Sequence, residues 1–293
     1  MVIKMKYDII NACSDLGVAI DGSDKGPIII NKFIDKDNIN KIITVNKDNI
    51  IKSYAKNDLR KNEKWVNKFN KKLFRITARC CKRKHFPITI GGDHSIAIGS
   101  ALGSKKINQN IGIIWVDAHT DYNTFETTRT GNIHGLPLAA ITGYKCQELY
   151  NFFKGNNINP KNCVVVGARS IDPWEIGNLE DAGVSIYYME DFKKHGIEKV
   201  MESAIKIAMK DTNGIHISYD LDVIDPIVAP GVSVPEENGI NEQEAYEIMD
   251  IIIKHKDLIK SLDLVEYNPD KDIDNKTKDI AVNLLNMFIK DKK

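Results

Sequence analysis

Short apolar runs that alternate with amphipathic segments are the feature that most constrains the fold of this chain. The runs that predict strands are Phe86–Ile90, Ile111–Val116, Cys163–Val166, Val184–Tyr188, Gly214–Tyr219 and Leu262–Val265, and helical spacing is clear at Ile197–Met209, Asn241–Lys254 and Lys276–Ile289. Strands that alternate with helices predict an α/β fold with a mostly parallel sheet and helices on both faces. No linker rich in Pro, Gly or Ser divides the sequence, so we predict one domain over residues 1–293.

Composition and charge exclude several classes of function. The formal net charge of +1 predicts no general attraction to nucleic acid or to membranes. No apolar segment approaches the roughly 20 residues that span a bilayer, and none follows the first lysines as a secretory signal would. The five cysteines are an odd number without CxxC spacing, which argues against a disulfide framework or a thiolate zinc site. We therefore expect reduced thiols and a cytoplasmic protein.

The segment from Lys56 to Lys84 is strongly basic, because Lys and Arg far outnumber its two acids. Its apolar residues recur at helical spacing, at Trp65, Phe69, Leu73 and Ile76. This pattern predicts an amphipathic helix with a solvated basic face. A patch that binds an anionic surface is the alternative, and the near-neutral total charge of the chain disfavours it.

Polar residues follow four of the predicted strands at the point where each strand ends. His94 follows the first predicted strand, the cluster Asp117–Asp121 follows the second, Asp220 and Asp222 follow the fifth, and Glu266 follows the last. In a parallel sheet these ends share one edge, which is where ligands bind in α/β proteins. We therefore expect the four groups to converge on one crevice.

The spacing within the clusters indicates a metal centre. Residues two apart in an extended stretch point the same way, so Asp117 and His119 can face one site, as can Asp220 and Asp222. Several acids packed together repel each other unless cations lie between them. With His94 and Asp121, the set offers carboxylates and imidazoles but no thiolate, which favours two Mn²⁺ ions over zinc. Taken singly, each motif is more typical of a surface loop or a structural histidine; the conjunction indicates the metal site.

These residues resemble the ureohydrolase family, which includes arginase, agmatinase and formiminoglutamase. The matching motifs are Gly91–Ser95, Asp117–Asp121, Ser218–Pro226 and Glu266–Pro269. The resemblance implies a three-layer α-β-α fold, two Mn²⁺ per chain, and a homotrimer or a hexamer of two trimers. It assigns one ion to His94, Asp117, Asp121 and Asp220, and the other to Asp117, His119, Asp220 and Asp222.

The stretch from Asp121 to Gly135 is most similar to the arginase version of the family. The resemblance implies that Asn123, Thr130 and Asn132 bind the α-carboxylate of the substrate and that His134 shuttles protons. It also implies that Asp172, with Glu175 behind it, binds the α-ammonium group, and that Glu266 pairs with the guanidinium. The expected reaction is hydrolysis of L-arginine to L-ornithine and urea by a hydroxide that bridges the metals, with Asp121 passing the proton to the leaving amine.

Several positions depart from the arginase pattern and keep alternatives open. Thr130 stands where serine is usual, Ser233-Val234-Pro235 replaces Gly-Thr-Pro, Glu236–Gly239 replaces a small Gly-rich run, Ser170 replaces a common acid, and Ile20-Asp21 replaces a more basic stretch. Agmatine and formiminoglutamate are the alternative substrates within the family. A non-catalytic metal-binding homologue is a further alternative, which the complete set of ligand residues disfavours.

Overall fold

The computed structural model describes residues 5–48, 50–55 and 57–290, and its centre is one eight-stranded sheet in which every strand pair is parallel. The strands are β1 (Tyr7–Cys13), β2 (Ile39–Asn46), β3 (Phe86–Gly91), β4 (Gly112–Val116), β5 (Cys163–Ala168), β6 (Ser185–Tyr188), β7 (Ile215–Asp220) and β8 (Ile259–Val265). Their order across the sheet is β2-β1-β3-β8-β7-β4-β5-β6.

Helices cover both faces of the sheet and make it the middle of three layers. The α-helices are α1 (Gly26–Phe33), α2 (Glu63–Lys82), α3 (Ala97–Asn108), α4 (Pro137–Thr142), α5 (Gln147–Tyr150), α6 (Ile176–Ala182), α7 (Met189–His195), α8 (Ile197–Ala208), α9 (Glu242–Lys254) and α10 (Lys276–Ile289). Strand side chains alternate between two buried clusters: Ile114 and Val116 pack with α8, α9 and α10, whereas Ile113 and Trp115 pack with α2, α3 and α4. The predicted α/β architecture with a parallel sheet is confirmed.

All six strands expected from the sequence are present, but the sequence analysis did not identify β1 and β2. β1 is fully buried although it contains Asp8 and Asn11, which interrupt its apolar run. Asp8 is satisfied inside the protein by His85 at 3.0 Å and by the Asn40 amide at 2.7 Å. β2 lies at the edge of the sheet and is mostly exposed, so its apolar pattern is weak.

The basic segment forms α2, as its periodicity predicted. Val66, Phe69 and Leu73 are buried against the rest of the protein, whereas Trp65 and Ile76 are only partly buried. Lys64 and Lys68 lie over the Trp65 ring and face solvent. Lys56 lies outside the described residues.

None of the helices in the described ranges combines the length and the apolar character that crossing a membrane requires. Residues 1–4, which bear on the predicted absence of a secretory signal, are not among the described residues.

Candidate active site

The four strands that carry the predicted ligands are neighbours at the centre of the sheet, in the order β3-β8-β7-β4. His94 begins the short 3₁₀ turn after β3, Glu266 directly follows β8, Asp220 is the last residue of β7, and Asp117 directly follows β4. Because all four strands run parallel, their carboxyl ends meet at one edge, and the predicted convergence is observed.

The imidazole of His94 faces three carboxylates. Its Nδ1 atom lies 3.0 Å from Asp117 Oδ2, 3.2 Å from Asp121 Oδ2 and 3.0 Å from Asp220 Oδ2. The Nε2 atom lies 2.8 Å from the Ser218 hydroxyl, and the ring stacks on Trp115 at a centroid distance of 4.0 Å. Nδ1 is fully buried among these carboxylates. An imidazole held in this way presents its free lone pair to a shared cation.

A second group of ligand atoms adjoins the first. His119 Nδ1 lies 2.9 Å from Asp222 Oδ2 and 3.4 Å from Asp117 Oδ1. The ligand atoms of His94, Asp117 and Asp220 all lie within 4.8 Å of one another, as do those of Asp117, His119 and Asp222. Asp117 belongs to both groups, so its carboxylate would help to hold both ions. The role of Asp220 as a second bridge stays a prediction.

The outer carboxylate oxygens are held by N–H groups from the protein. Trp115 Nε1 donates to Asp117 at 2.8 Å, and the Asp222 N–H donates to Asp220 at 2.8 Å. The Ala118 N–H donates to Asp222 at 3.1 Å. These bonds fix the orientation of the acids, as the hydrogen bonds behind the ligands of a metal site do.

The buried acids of the cluster repel one another, so cations would stabilise them. Burial raises the pKa of Asp121, Asp220 and Asp222, and the charge of neighbouring acids raises each pKa further. Burial also opposes ionisation of Asp117, yet hydrogen bonds from His119 and His94 lower its pKa. Buried acids in such number are stable together only when cations pair with them. Oxygen and imidazole donors with two adjoining centres fit a pair of divalent ions.

Glu266 offers one carboxylate oxygen to the protein and keeps the other free. Its Oε1 atom accepts from the His94 N–H at 2.8 Å and lies 3.0 Å from His134 Nδ1. Oε2 is buried and has no hydrogen-bond partner among the residues that the structure describes. The backbone of Glu266 is left-handed, with φ 68°, which is uncommon for a residue other than glycine and typical of functional sites. A buried carboxylate oxygen without a partner is suited to a cationic group.

The predicted substrate contacts lie on two loops that hold each other. The Asn123 amide donates to Asp172 Oδ2 at 2.9 Å, and the Asn132 N–H donates to the Thr130 hydroxyl at 3.2 Å. The side-chain oxygen of Asn132 is buried, and no residue in the described ranges forms a hydrogen bond with it. Glu175 is buried and accepts from the N–H groups of Tyr122 and Asp172, and burial raises its pKa to about 7. Glu175 therefore braces both loops from behind.

A cavity of about 230 Å³ brings most of the predicted residues together. It is lined by His94, His119, Asp121, Asn123, Thr128, Thr130, Asn132, His134, Gly135, Ser170, Asp172, Glu175, Asp220, Asp222, Val234 and Glu236. Glu266 lies behind His134 rather than in this lining. A larger cavity of about 530 Å³ beside β6 has no histidine in its lining, so volume alone does not identify the site.

The sequence analysis did not anticipate two outer partners of the predicted ligands. Ser218 contacts His94, and Glu236 contacts His119 through an Oε1–Nε2 distance of 3.4 Å. Ser218 lies two residues before Asp220 on β7, so the period of a strand could have placed it on the same face. Glu236 is far from His119 in sequence, and no local pattern relates the two residues.

Comparisons with known proteins agree with this geometry. A sequence model described as "Arginase: Arginase family" matches residues 6–289. The arginase of Bacillus subtilis (strain 168) is 36% identical over 292 residues, covering 96% of both chains. The Bacillus caldovelox arginase structure superposes with a TM-score of 0.89 at 34% identity, covering 98% of this chain and 99% of that chain. The Entamoeba histolytica arginase in complex with L-ornithine superposes with a TM-score of 0.89 at 30% identity, covering 97% and 98%. A parallel sheet with two adjoining acid–histidine groups at its central strand ends, matched along almost the whole sequence, shows that the chain belongs to the arginase family.

Proposed function

We propose that the protein hydrolyses the guanidinium group of L-arginine to give L-ornithine and urea. One observation carries this proposal. A single cavity adjoins two groups of possible metal ligands that share Asp117, and its wall contains Asn123 hydrogen-bonded to Asp172. The relatives named arginase support it, as does the related structure that contains L-ornithine.

We infer two Mn²⁺ ions per chain. His94, Asp117, Asp121 and Asp220 would hold one ion, and Asp117, His119, Asp220 and Asp222 the other. Two divalent ions in such a site supply a hydroxide nucleophile near neutral pH. Carboxylate and imidazole ligands without a thiolate favour Mn²⁺. Reconstitution of the metal-free protein with Mn²⁺, Fe²⁺ or Co²⁺, followed by the rate of urea release, tests the choice of metal.

Three side chains act on the guanidinium group and its protons. The free oxygen of Glu266 accepts a hydrogen bond from the guanidinium and fixes its orientation. Asp121, whose carboxylate lies 3.2 Å from His94 Nδ1 inside the cluster, takes a proton from the attacking water and delivers it to the departing amine. His134, which is partly exposed beside Glu266, exchanges protons with solvent.

The two loops recognise the amino-acid end of arginine. Asp172 is exposed on one loop and supplies a negative charge to the α-ammonium group. Asn123, Thr130 and Asn132 are neutral polar groups that donate hydrogen bonds to the α-carboxylate. Agmatine has no carboxylate to satisfy these groups, and this difference favours arginine as the substrate.

A substrate panel tests the proposal. Arginine, agmatine and formiminoglutamate are supplied separately to the metal-free protein and to the protein loaded with Mn²⁺. Urea release from arginine that depends on Mn²⁺, at a kcat/KM well above that for agmatine, is expected. A preference for either rival contradicts the substrate assignment, and the absence of any turnover favours a non-catalytic homologue.

We extend the proposal to the organisation of the protein. One domain spanning residues 1–293 is supported by the single continuous sheet. A cytoplasmic location is supported by the five cysteines, which are all buried and unpaired. A homotrimer or a hexamer of two trimers follows from the family resemblance, and light scattering of the purified protein tests it.

A further inference from the structure

The two histidines of the predicted metal centre differ in what supports their outer nitrogen. The His94 side chain is 1% exposed, and its Nε2 atom meets the neutral Ser218 hydroxyl. The His119 side chain is 23% exposed, and its Nε2 atom faces the carboxylate of Glu236 at 3.4 Å. A carboxylate behind a metal-binding histidine fixes its tautomer and increases its basicity.

The loop that carries Glu236 is tied to the segment that carries the metal ligands. Arg169 Nη2 donates to the carbonyl of Asp222 at 2.7 Å and to the carbonyl of Glu236 at 2.9 Å. Its Nε atom donates to the carbonyl of Glu237 at 2.9 Å. The Arg169 guanidinium therefore joins the two segments, and it fixes the position of Glu236 relative to Asp222.

Close packing at Gly239 completes this attachment. A Cβ atom at this position would lie 2.6 Å from the Asp225 nitrogen and 2.7 Å from Arg169 Nη2. The neighbouring Ile240 exchanges hydrogen bonds with the backbone of Val223 and Asp225. The loop can approach the end of β7 only because residue 239 has no side chain.

Glu236 and Ser170 are two of the departures from the arginase pattern, and both line the active-site cavity. The usual acid is missing at position 170, while an acid is added at position 236. The structure places the added carboxylate on His119, whereas the neighbouring Glu237 side chain is exposed. Both departures therefore change the charged groups that face this cavity.

We propose that Glu236 is a positioning residue for His119. Its carboxylate accepts the Nε2 proton of His119, which leaves the Nδ1 lone pair free for the ion that His119, Asp117 and Asp222 would hold, and this support would tighten the binding of that ion. His94 has its own partner in Ser218, so we expect the ion that His94 would hold to be independent of Glu236. This inference rests on the proposed metal-dependent function.

Manganese titration of the metal-free protein tests the proposal. Glu236→Ala removes the acceptor, Glu236→Gln keeps an acceptor oxygen without the charge, and Glu237→Ala is the matched control that removes the adjacent acid. Calorimetry and competition with a chelator give the affinity of each ion. Glu236→Ala is expected to weaken one ion by about 10–100-fold and the other by less than about twofold. Glu236→Gln is expected to fall between wild type and Glu236→Ala, with Glu237→Ala matching wild type.

The outcomes separate this inference from the function on which it rests. Wild-type protein that binds fewer than two ions contradicts the proposed function. Two ions in wild type, with affinities in Glu236→Ala that match Glu237→Ala, overturn only the role of Glu236. A changed KM for arginine at saturating Mn²⁺ with unchanged metal affinity also overturns it, because Glu236 would then act on the substrate. Melting temperatures of the metal-free variants show whether they are folded. If Glu236→Ala does not fold, the metal affinities of the isosteric Glu236→Gln variant are compared with wild type instead.

Discussion

The floor and the wall of the active-site cavity are built in different ways. The floor consists of side chains at the ends of four adjacent strands, and backbone N–H groups hold them in place. The wall consists of two loops whose polar side chains bond to each other, as Asn123 does to Asp172. The rigid sheet edge therefore determines the chemistry, whereas the loops determine which molecule binds there.

The largest expected effect comes from the floor. Asp220→Asn keeps the shape of the side chain but removes the charge from a ligand of the predicted metal centre. We expect a loss of bound Mn²⁺ and a fall in kcat of about 1,000-fold or more, because the metals supply several kcal/mol of the catalysis. Metal analysis and the rate of urea release measure both effects.

The exposed Asp257 provides the control for this change. Asp257→Asn should retain both ions and wild-type activity. Full activity of Asp220→Asn with two bound ions would show that the floor is not the metal centre.

His134 lies between floor and wall, and its replacement separates proton transfer from metal binding. His134→Asn should lower kcat by about 100-fold, the range typical of a lost acid–base group, while the metal content stays at the wild-type value. Steady-state kinetics combined with metal analysis provides the measurement. An unchanged kcat would remove the shuttle role, and a loss of metal would assign His134 to the floor.

The wall should affect substrate choice more than chemistry. Asn132→Ala removes a donor predicted for the α-carboxylate, so kcat/KM for arginine should fall about 10–100-fold, as expected for a hydrogen bond to a charged group. Agmatine serves as the internal control, because it has no carboxylate and should lose less than about twofold. Equal losses for both substrates would contradict the assignment of this loop.

The smallest expected effect concerns the brace behind the wall. Burial raises the pKa of Glu175 from an ordinary value of 4.5 to about 7, so the folded protein retains a proton that the unfolded chain releases. The contribution of Glu175 to the free energy of unfolding is therefore largest below pH 4.5, and it is lost as the pH rises to about 7.

Glu175→Gln should make the decline in stability of the metal-free protein between pH 5 and 7 smaller by about 2 kcal/mol. Urea denaturation at several pH values measures this slope. The exposed Glu180 provides the control, because Glu180→Gln should leave the slope unchanged. If stability falls with pH as steeply in Glu175→Gln as in wild type, the ionisation of Glu175 does not affect stability.

The same contrast explains how far prediction from the sequence could go. The floor was predictable because strand ends and the two-residue period of extended chain relate Asp117 to His119 without knowledge of distant contacts. β1 escaped prediction because Asp8 and Asn11 interrupt its apolar pattern, and their burial depends on partners elsewhere in the chain. The pairing of Asn123 with Asp172 joins two loops, and no local pattern records it.

The amino-acid pattern alone predicts a parallel α/β protein with acids and histidines at strand ends, because the periodicity of strands and helices is a local property. The three-dimensional structure was needed to show that β3, β8, β7 and β4 lie side by side and that Glu236 lies beside His119. It was also needed to show that one buried oxygen of Glu266 has no partner in the described part of the chain. These features depend on strand order and on loops that meet far from each other in sequence. Through-space contacts of this kind are set by packing, which a single sequence does not display.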